Sequence, residues 1–134
     1  MNKSVKPGSV LILGAHSDIA KALSHHYAEK GANLILAARK SDRLQADIDD
    51  LGIRYGVEAE IVEFDALAYK DHHSFYEELS TKPDLVFCVF GYLGDQEEAV
   101  GNWDMAKEIM EVNYLGAVSI LHHVANDMEQ RKQG

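Results

Sequence analysis

Four short runs of mostly aliphatic residues constrain the fold more than any other feature: Ser9–Leu13 (SVLIL), Asn33–Ala38 (NLILAA), Glu58–Phe64 (EAEIVEF) and Asp84–Phe90 (DLVFCVF). Each is too short for a buried helix and is bounded by turn residues, which marks it as a strand. A stretch with helical spacing follows each one. After the first, Ile19, Leu23 and Tyr27 repeat every four residues, and Lys30-Gly31 supplies a cation and a stop. After the second, Asp42 and Gln45 predict a capping box for a helix that carries Leu44, Ile48 and Leu51 inward and ends at Gly52 and Gly56. After the third, Asp65-Ala66-Leu67 turns into a helix around Phe75, Tyr76 and Leu79, stopped by Pro83. Beyond the fourth, an acidic loop follows Gly91 and Gly94. Helical spacing then runs from about Trp103 to the end, marked by Ile109, Val112, Leu115, Ile120, Leu121 and Val124.

Strands alternating with helices imply parallel pairing through right-handed crossovers, which is half of a doubly wound α/β sheet of the Rossmann type. The third run alternates polar and apolar residues, as a strand with one more exposed face does. The fourth is the most uniformly apolar and reads as central, covered on both sides.

The 134 residues suit one domain, taken as 1–134. A formal charge of −9 without a basic stripe argues against nucleic acid or an anionic membrane as partner. Lys3 and Lys6 precede an apolar run of only Val10–Leu13, too short for a secretory signal, and no later stretch approaches the ~20 apolar residues of a membrane helix. Cys88, the one cysteine, reads as a small core residue in a reduced compartment, so the expected location is cytoplasmic. The pairs His25-His26, His72-His73 and His122-His123 invite a metal reading, but helix neighbours point about 100° apart and no i, i+4 pair forms, so no metal is expected.

In a doubly wound sheet, ligands sit at the carboxyl ends of the strands, and four places qualify: Gly14–Ala20, Arg39-Lys40, Asp65-Ala66 and Gly91. Gly14 permits a tight turn, and the amide groups opening the following helix, at its partial positive end, make an anion site. Asp18 stands in that loop where a second glycine is usual. A carboxylate is favoured in the first turn of a helix, and swinging outward leaves a phosphate to Gly14 and the Ser17–Ile19 region. A carboxylate ending the second strand would select NAD, whereas Ala38 stands there and Arg39 and Lys40 follow. A guanidinium beside an uncharged residue suits a 2′-phosphate, which points to NADP(H), with NAD the lesser choice; a solvated turn is the alternative reading of the same pair.

Together these residues resemble the N-terminal half of a short-chain dehydrogenase/reductase. Leu13-Gly14-Ala15-His16-Ser17-Asp18-Ile19-Ala20 corresponds to the family's Thr-Gly-x-x-x-Gly-Ile-Gly, and Asp65-Ala66 to its Asp-Val. Cys88-Val89-Phe90-Gly91 keeps only the glycine of Asn-Asn-Ala-Gly, and Val112-Asn113-Tyr114-Leu115-Gly116 holds its helix asparagine. The resemblance implies a sheet order of 3-2-1-4, truncated after the fourth strand and its helix. It places Gly14, Ser17, Asp18, Ile19, Arg39, Lys40, Asp65, Ala66, Phe90 and Gly91 at the cofactor, with Asp65 and Ala66 receiving adenine; Asp65 also reads as a helix N-cap. Asn113 is implied to hold a water in the proton relay. Phe64–Leu67, Phe90–Asp95 with Glu97-Glu98, and Glu111–Tyr114 further resemble the reductase that works with the decaprenylphosphoryl-ribose epimerase, a branch reducing a 2-keto sugar on a polyprenyl phosphate. The implied substrate is a small-molecule or lipid-linked carbonyl compound.

The family's chemistry also needs a tyrosine with a lysine four positions on, and no tyrosine here has one. Two readings follow: part of a longer reductase, inactive alone, or a short module that senses NADP(H) without chemistry. The first is favoured, because Asn113 has no evident use without the remainder. A methyltransferase would want an acid at the end of strand two, and a flavin protein a different phosphate loop. The implied order leaves the outer edge of the fourth strand unpaired and Leu115, Val118, Leu121 and Val124 partly bare, so a homodimer is expected.

Overall fold

The structure, a computed structural model, describes residues 8–134; Lys3, Lys6 and Pro7 lie outside the described residues. Four parallel strands, β1 (Ser9–Leu13), β2 (Asn33–Ala38), β3 (Ala59–Glu63) and β4 (Leu85–Cys88), form one sheet in the order β3-β2-β1-β4. Helices α1 (Asp18–Glu29) and α2 (Gln45–Tyr55) cover one face. On the other lie α3 (His72–Glu77) and α6 (Ala117–Arg131). Between β4 and α6 come α4 (Gln96–Gly101), α5 (Trp103–Met110) and a π-helical turn, Glu111–Gly116.

β1 reads as continuous aliphatic sequence because successive side chains enter different cores. Val10 and Ile12 pack with Ala20, Ala28, Leu44 and Leu51, whereas Leu11 and Leu13 pack with Tyr76, Ile120 and Val124. The four aliphatic side chains of β1, Val10 to Leu13, are fully buried, each contributing about 1.5–3 kcal/mol by leaving water. β4, expected to be central and covered on both faces, has half-buried residues, and among the described residues it stands at the edge of the sheet, paired with β1. Cys88 at its end is half-buried, and burial pushes its thiol up to about 11. Among the described residues no helix is long and apolar enough to cross a membrane, and no histidine, cysteine and carboxylate cluster could hold a metal ion.

Several local expectations change. Asp42 does not cap α2: Ser41–Leu44 forms a 3₁₀ turn, α2 begins at Gln45, and the Gln45 side chain bonds Asp49 instead. Gly56 alone ends α2, in a left-handed conformation (φ 65°) with its amide on the Gly52 carbonyl, so Gly52 lies inside the helix. The helix expected from Asp65 starts only at His72. The Asp65 carboxylate closes a turn by accepting from the Leu67 amide (2.9 Å), so it caps a turn rather than a helix, and a 3₁₀ turn at Tyr69–Asp71 follows.

The acidic loop contains α4, capped by Asp95, whose carboxylate accepts from the Glu98 amide. Asp95 with Glu98 is a capping-box signal that the reading of this stretch as loop passed over. Asn102 then caps α5. Val124 is buried and does not belong to the bare patch, which comprises Tyr114, Leu115, Val118 and Leu121.

Candidate functional site

A cleft of about 610 Å³ opens at the carboxyl ends of the four strands, where the sequence placed its ligand. Its first wall is the loop after β1. Gly14 adopts φ +95°, and both its amide and that of Ala15 donate to the Ala37 carbonyl (2.8 and 3.1 Å). A β-carbon on Gly14 would lie 2.5 Å from the Phe90 nitrogen, so only glycine lets the loops after β1 and β4 meet. Ser17 is the N-cap of α1, its hydroxyl accepting from the Ala20 amide (3.1 Å). The amides of Asp18 and Ile19 therefore open the helix ahead of any intrahelical acceptor.

Of the ten residues assigned to the cofactor, Gly14, Ser17, Arg39, Lys40, Asp65, Ala66, Phe90 and Gly91 line this cleft. The side chains of Asp18 and Ile19 do not, both being exposed at the helix start. Asp18 is the first residue of α1 and supplies its acidic first turn.

Sequence reasoning missed Arg43, which joins Arg39 and Lys40 in the lining. Its signal was its position four residues beyond Arg39, obscured because a capped α-helix was expected there. A chain with nine excess negative charges thus gathers three cations at one corner of the cleft, beside Ala38. His16, also missed, lines the cleft and donates from Nε2 to the Arg39 carbonyl (2.8 Å).

At the third strand's end, Phe64 lines the cleft and packs against His72, Phe75 and Phe90. His72 is buried, with Nε2 donating to the Asp65 carbonyl and Nδ1 paired with the Ser119 hydroxyl (both 2.8 Å), which ties the Asp65 turn to α6. Ala66 meets the π-helical turn: a β-carbon on Gly116 would lie 2.8 Å from the Ala66 carbonyl oxygen.

Asn113, on that turn, is not among the lining residues. Its Oδ1 accepts from the Tyr92 amide (2.7 Å) and its Nδ2 donates to the Tyr92 carbonyl (2.9 Å). The side chain therefore fastens the loop after β4 to the helix.

The family model described as short chain dehydrogenase matches residues 8–134. An uncharacterized oxidoreductase of Streptomyces coelicolor is 35% identical over 115 residues, 84% of this chain and 45% of the relative. Among solved structures, an NAD⁺-bound xylitol dehydrogenase superposes with a TM-score of 0.84 at 22% identity, covering 94% of this chain and 50% of that one. An alcohol dehydrogenase from Thermococcus sibiricus, complexed with 5-hydroxy-NADP, gives 0.77 at 26% identity, covering 91% and 53%. The chain spans about half the length of the curated relatives it matches.

Proposed function

This chain belongs to the short-chain dehydrogenase family, and from that membership we propose that it forms one nucleotide-binding unit, residues 1–134, of an oxidoreductase interconverting a carbonyl and an alcohol, with NADP(H) preferred over NAD(H). The observation that carries the preference is the cationic corner of Arg39, Lys40 and Arg43 beside Ala38, with no carboxylate at the end of β2. The alcohol dehydrogenase solved with 5-hydroxy-NADP supports this reading. The NAD⁺-bound xylitol dehydrogenase shares the fold, so the fold does not choose between cofactors and the choice rests on these side chains.

The nicotinamide group, when bound, supplies or accepts a hydride. The residues of this chain bind and orient it. Gly14, Ser17 and the main-chain amides of Asp18 and Ile19 receive the pyrophosphate, Arg39 and Lys40 the 2′-phosphate, and Asp65 and Ala66 the adenine, while Phe90 and Gly91 wall the cleft. Asn113 positions the loop after β4. Lacking a tyrosine followed four residues on by lysine, this stretch performs no carbonyl reduction alone. For the whole protein, the local likeness to the decaprenylphosphoryl-keto-ribose reductase branch supports a sugar or lipid-linked ketone substrate, handled by a cytoplasmic homodimer.

Titration calorimetry of the 134-residue chain with NADPH and with NADH tests the reading. Tighter NADPH binding is expected. Equal affinities overturn the NADP(H) assignment, and failure of both to bind overturns the nucleotide-binding reading itself.

A further inference from the structure

The cations at the end of β2 stand on a short turn that is held from behind. Ala38 pairs in register with Glu63 on β3, so the acid absent from the end of β2 appears on the neighbouring strand. It does not line the cleft. Its Oε1 accepts from the Lys40 amide (2.9 Å) and its Oε2 from the Ser41 amide (3.0 Å). Two successive amides converge on one carboxylate because Lys40 is left-handed, at φ 54° and ψ 48°. A non-glycine residue pays for that conformation unless its surroundings hold it there.

His16 holds the preceding Arg39 carbonyl, and the Arg43 amide closes back on the Lys40 carbonyl (3.1 Å). Every one of these contacts on the turn uses backbone groups, which leaves the side chains of Arg39, Lys40 and Arg43 available to the cleft.

Resting on the NADP(H) reading above, we propose that Glu63 is the positioning residue for 2′-phosphate recognition: by clamping the Lys40 and Ser41 amides it sets the left-handed turn that presents Arg39, Lys40 and Arg43 to the cleft. The Ser41 amide and hydroxyl hold the Glu63 carboxyl below the usual carboxylate range, so the clamp is charged at neutral pH. The opposite role, a carboxylate that repels a 2′-phosphate, does not fit this geometry, because both oxygens are engaged by the turn and the residue stands outside the lining.

The test uses adenosine 2′,5′-bisphosphate and 5′-AMP, which differ only in the 2′-phosphate, titrated into the wild-type chain, Glu63→Ala and Glu63→Gln. Glu63 is exposed, so both variants are expected to keep the wild-type melting temperature within a few degrees. Glu63→Ala is expected to lose about tenfold in affinity for the bisphosphate and less than about twofold for 5′-AMP. Glu63→Gln keeps an acceptor oxygen for the amides and should fall between. An unchanged bisphosphate-to-AMP ratio in Glu63→Ala overturns the proposal, and a raised ratio in both variants shows the repelling role instead. If the wild-type chain fails to prefer the bisphosphate, the NADP(H) reading falls first and takes this inference with it.

Discussion

The Asn113 side chain grips the backbone of Tyr92 at two points, accepting from its amide at 2.7 Å and donating to its carbonyl at 2.9 Å. One amide group thereby joins the π-helical turn to the loop after β4. Asn113→Ala is expected to lower stability by about 1–2 kcal/mol, the net worth of two such hydrogen bonds. Urea denaturation measures the loss, and faster exchange of the Tyr92 amide localises it. An unchanged midpoint with unchanged exchange refutes the clamp.

Gly14→Ala is expected to cost more. It puts a side chain on φ +95° and a β-carbon 2.5 Å from the Phe90 nitrogen, with backbone rather than a flexible side chain in the way. A loss of at least ~2 kcal/mol and weakened nucleotide binding should accompany it. Thermal unfolding and calorimetry read the two effects, and a variant with wild-type values for both contradicts the close approach.

Arg39→Ala is expected to narrow the preference for NADPH over NADH by about 1–3 kcal/mol, the scale of a charge-assisted contact. Arg43→Ala should narrow it in the same direction. Calorimetry with both cofactors checks each variant, and a preference untouched by either removal rules out this corner as the phosphate site.

Acid should weaken the α3–α6 junction. The Asp127 carboxylate accepts from the Tyr76 hydroxyl and from Arg131 Nε, both at 2.7 Å. Burial pushes its carboxyl up, but the Tyr76 hydroxyl and Arg131 together outweigh burial and leave it below the ordinary carboxylate value. A carboxyl depressed on folding contributes stability that is fully present above its unfolded pKa, about 3.9, and is lost as pH falls through the lower folded value. Wild type should therefore exceed Asp127→Asn in stability at neutral pH, with the gap closing below about pH 4. Urea midpoints across that range measure it; a gap independent of pH would falsify the assignment.

Association is expected at micromolar concentration. The outer edge of β4 has no partner among the described residues, and Leu115, Val118 and Leu121 stand 46%, 50% and 37% exposed on one face. Sedimentation should give a dimer that Val118→Glu shifts toward monomer. A clean monomer with the final helix well protected from exchange argues against it.

The strands were legible from local sequence because each is short and rich in aliphatic residues; β1 and β2, the inner pair, bury theirs in cores on both faces, and turn residues punctuate them. The cleft followed, since parallel strands deliver their carboxyl ends, and the residues just beyond them, to one edge. What local reading could not supply depends on partners distant in the chain. The turn after β2 obeys Glu63, 22 and 23 residues beyond the Ser41 and Lys40 amides it holds, rather than the nearby Asp42. The π-helical turn before α6 brings Gly116 against Ala66, and Asn113, on the same turn, reaches Tyr92 21 residues before it. The apolar composition of β4 suggested a central strand, yet whether an apolar strand is covered depends on which neighbours pack beside it. Periodicity and punctuation are properties of neighbouring residues, so they can be read along the chain; a hydrogen bond between elements exists only once the sheet has brought its two ends together.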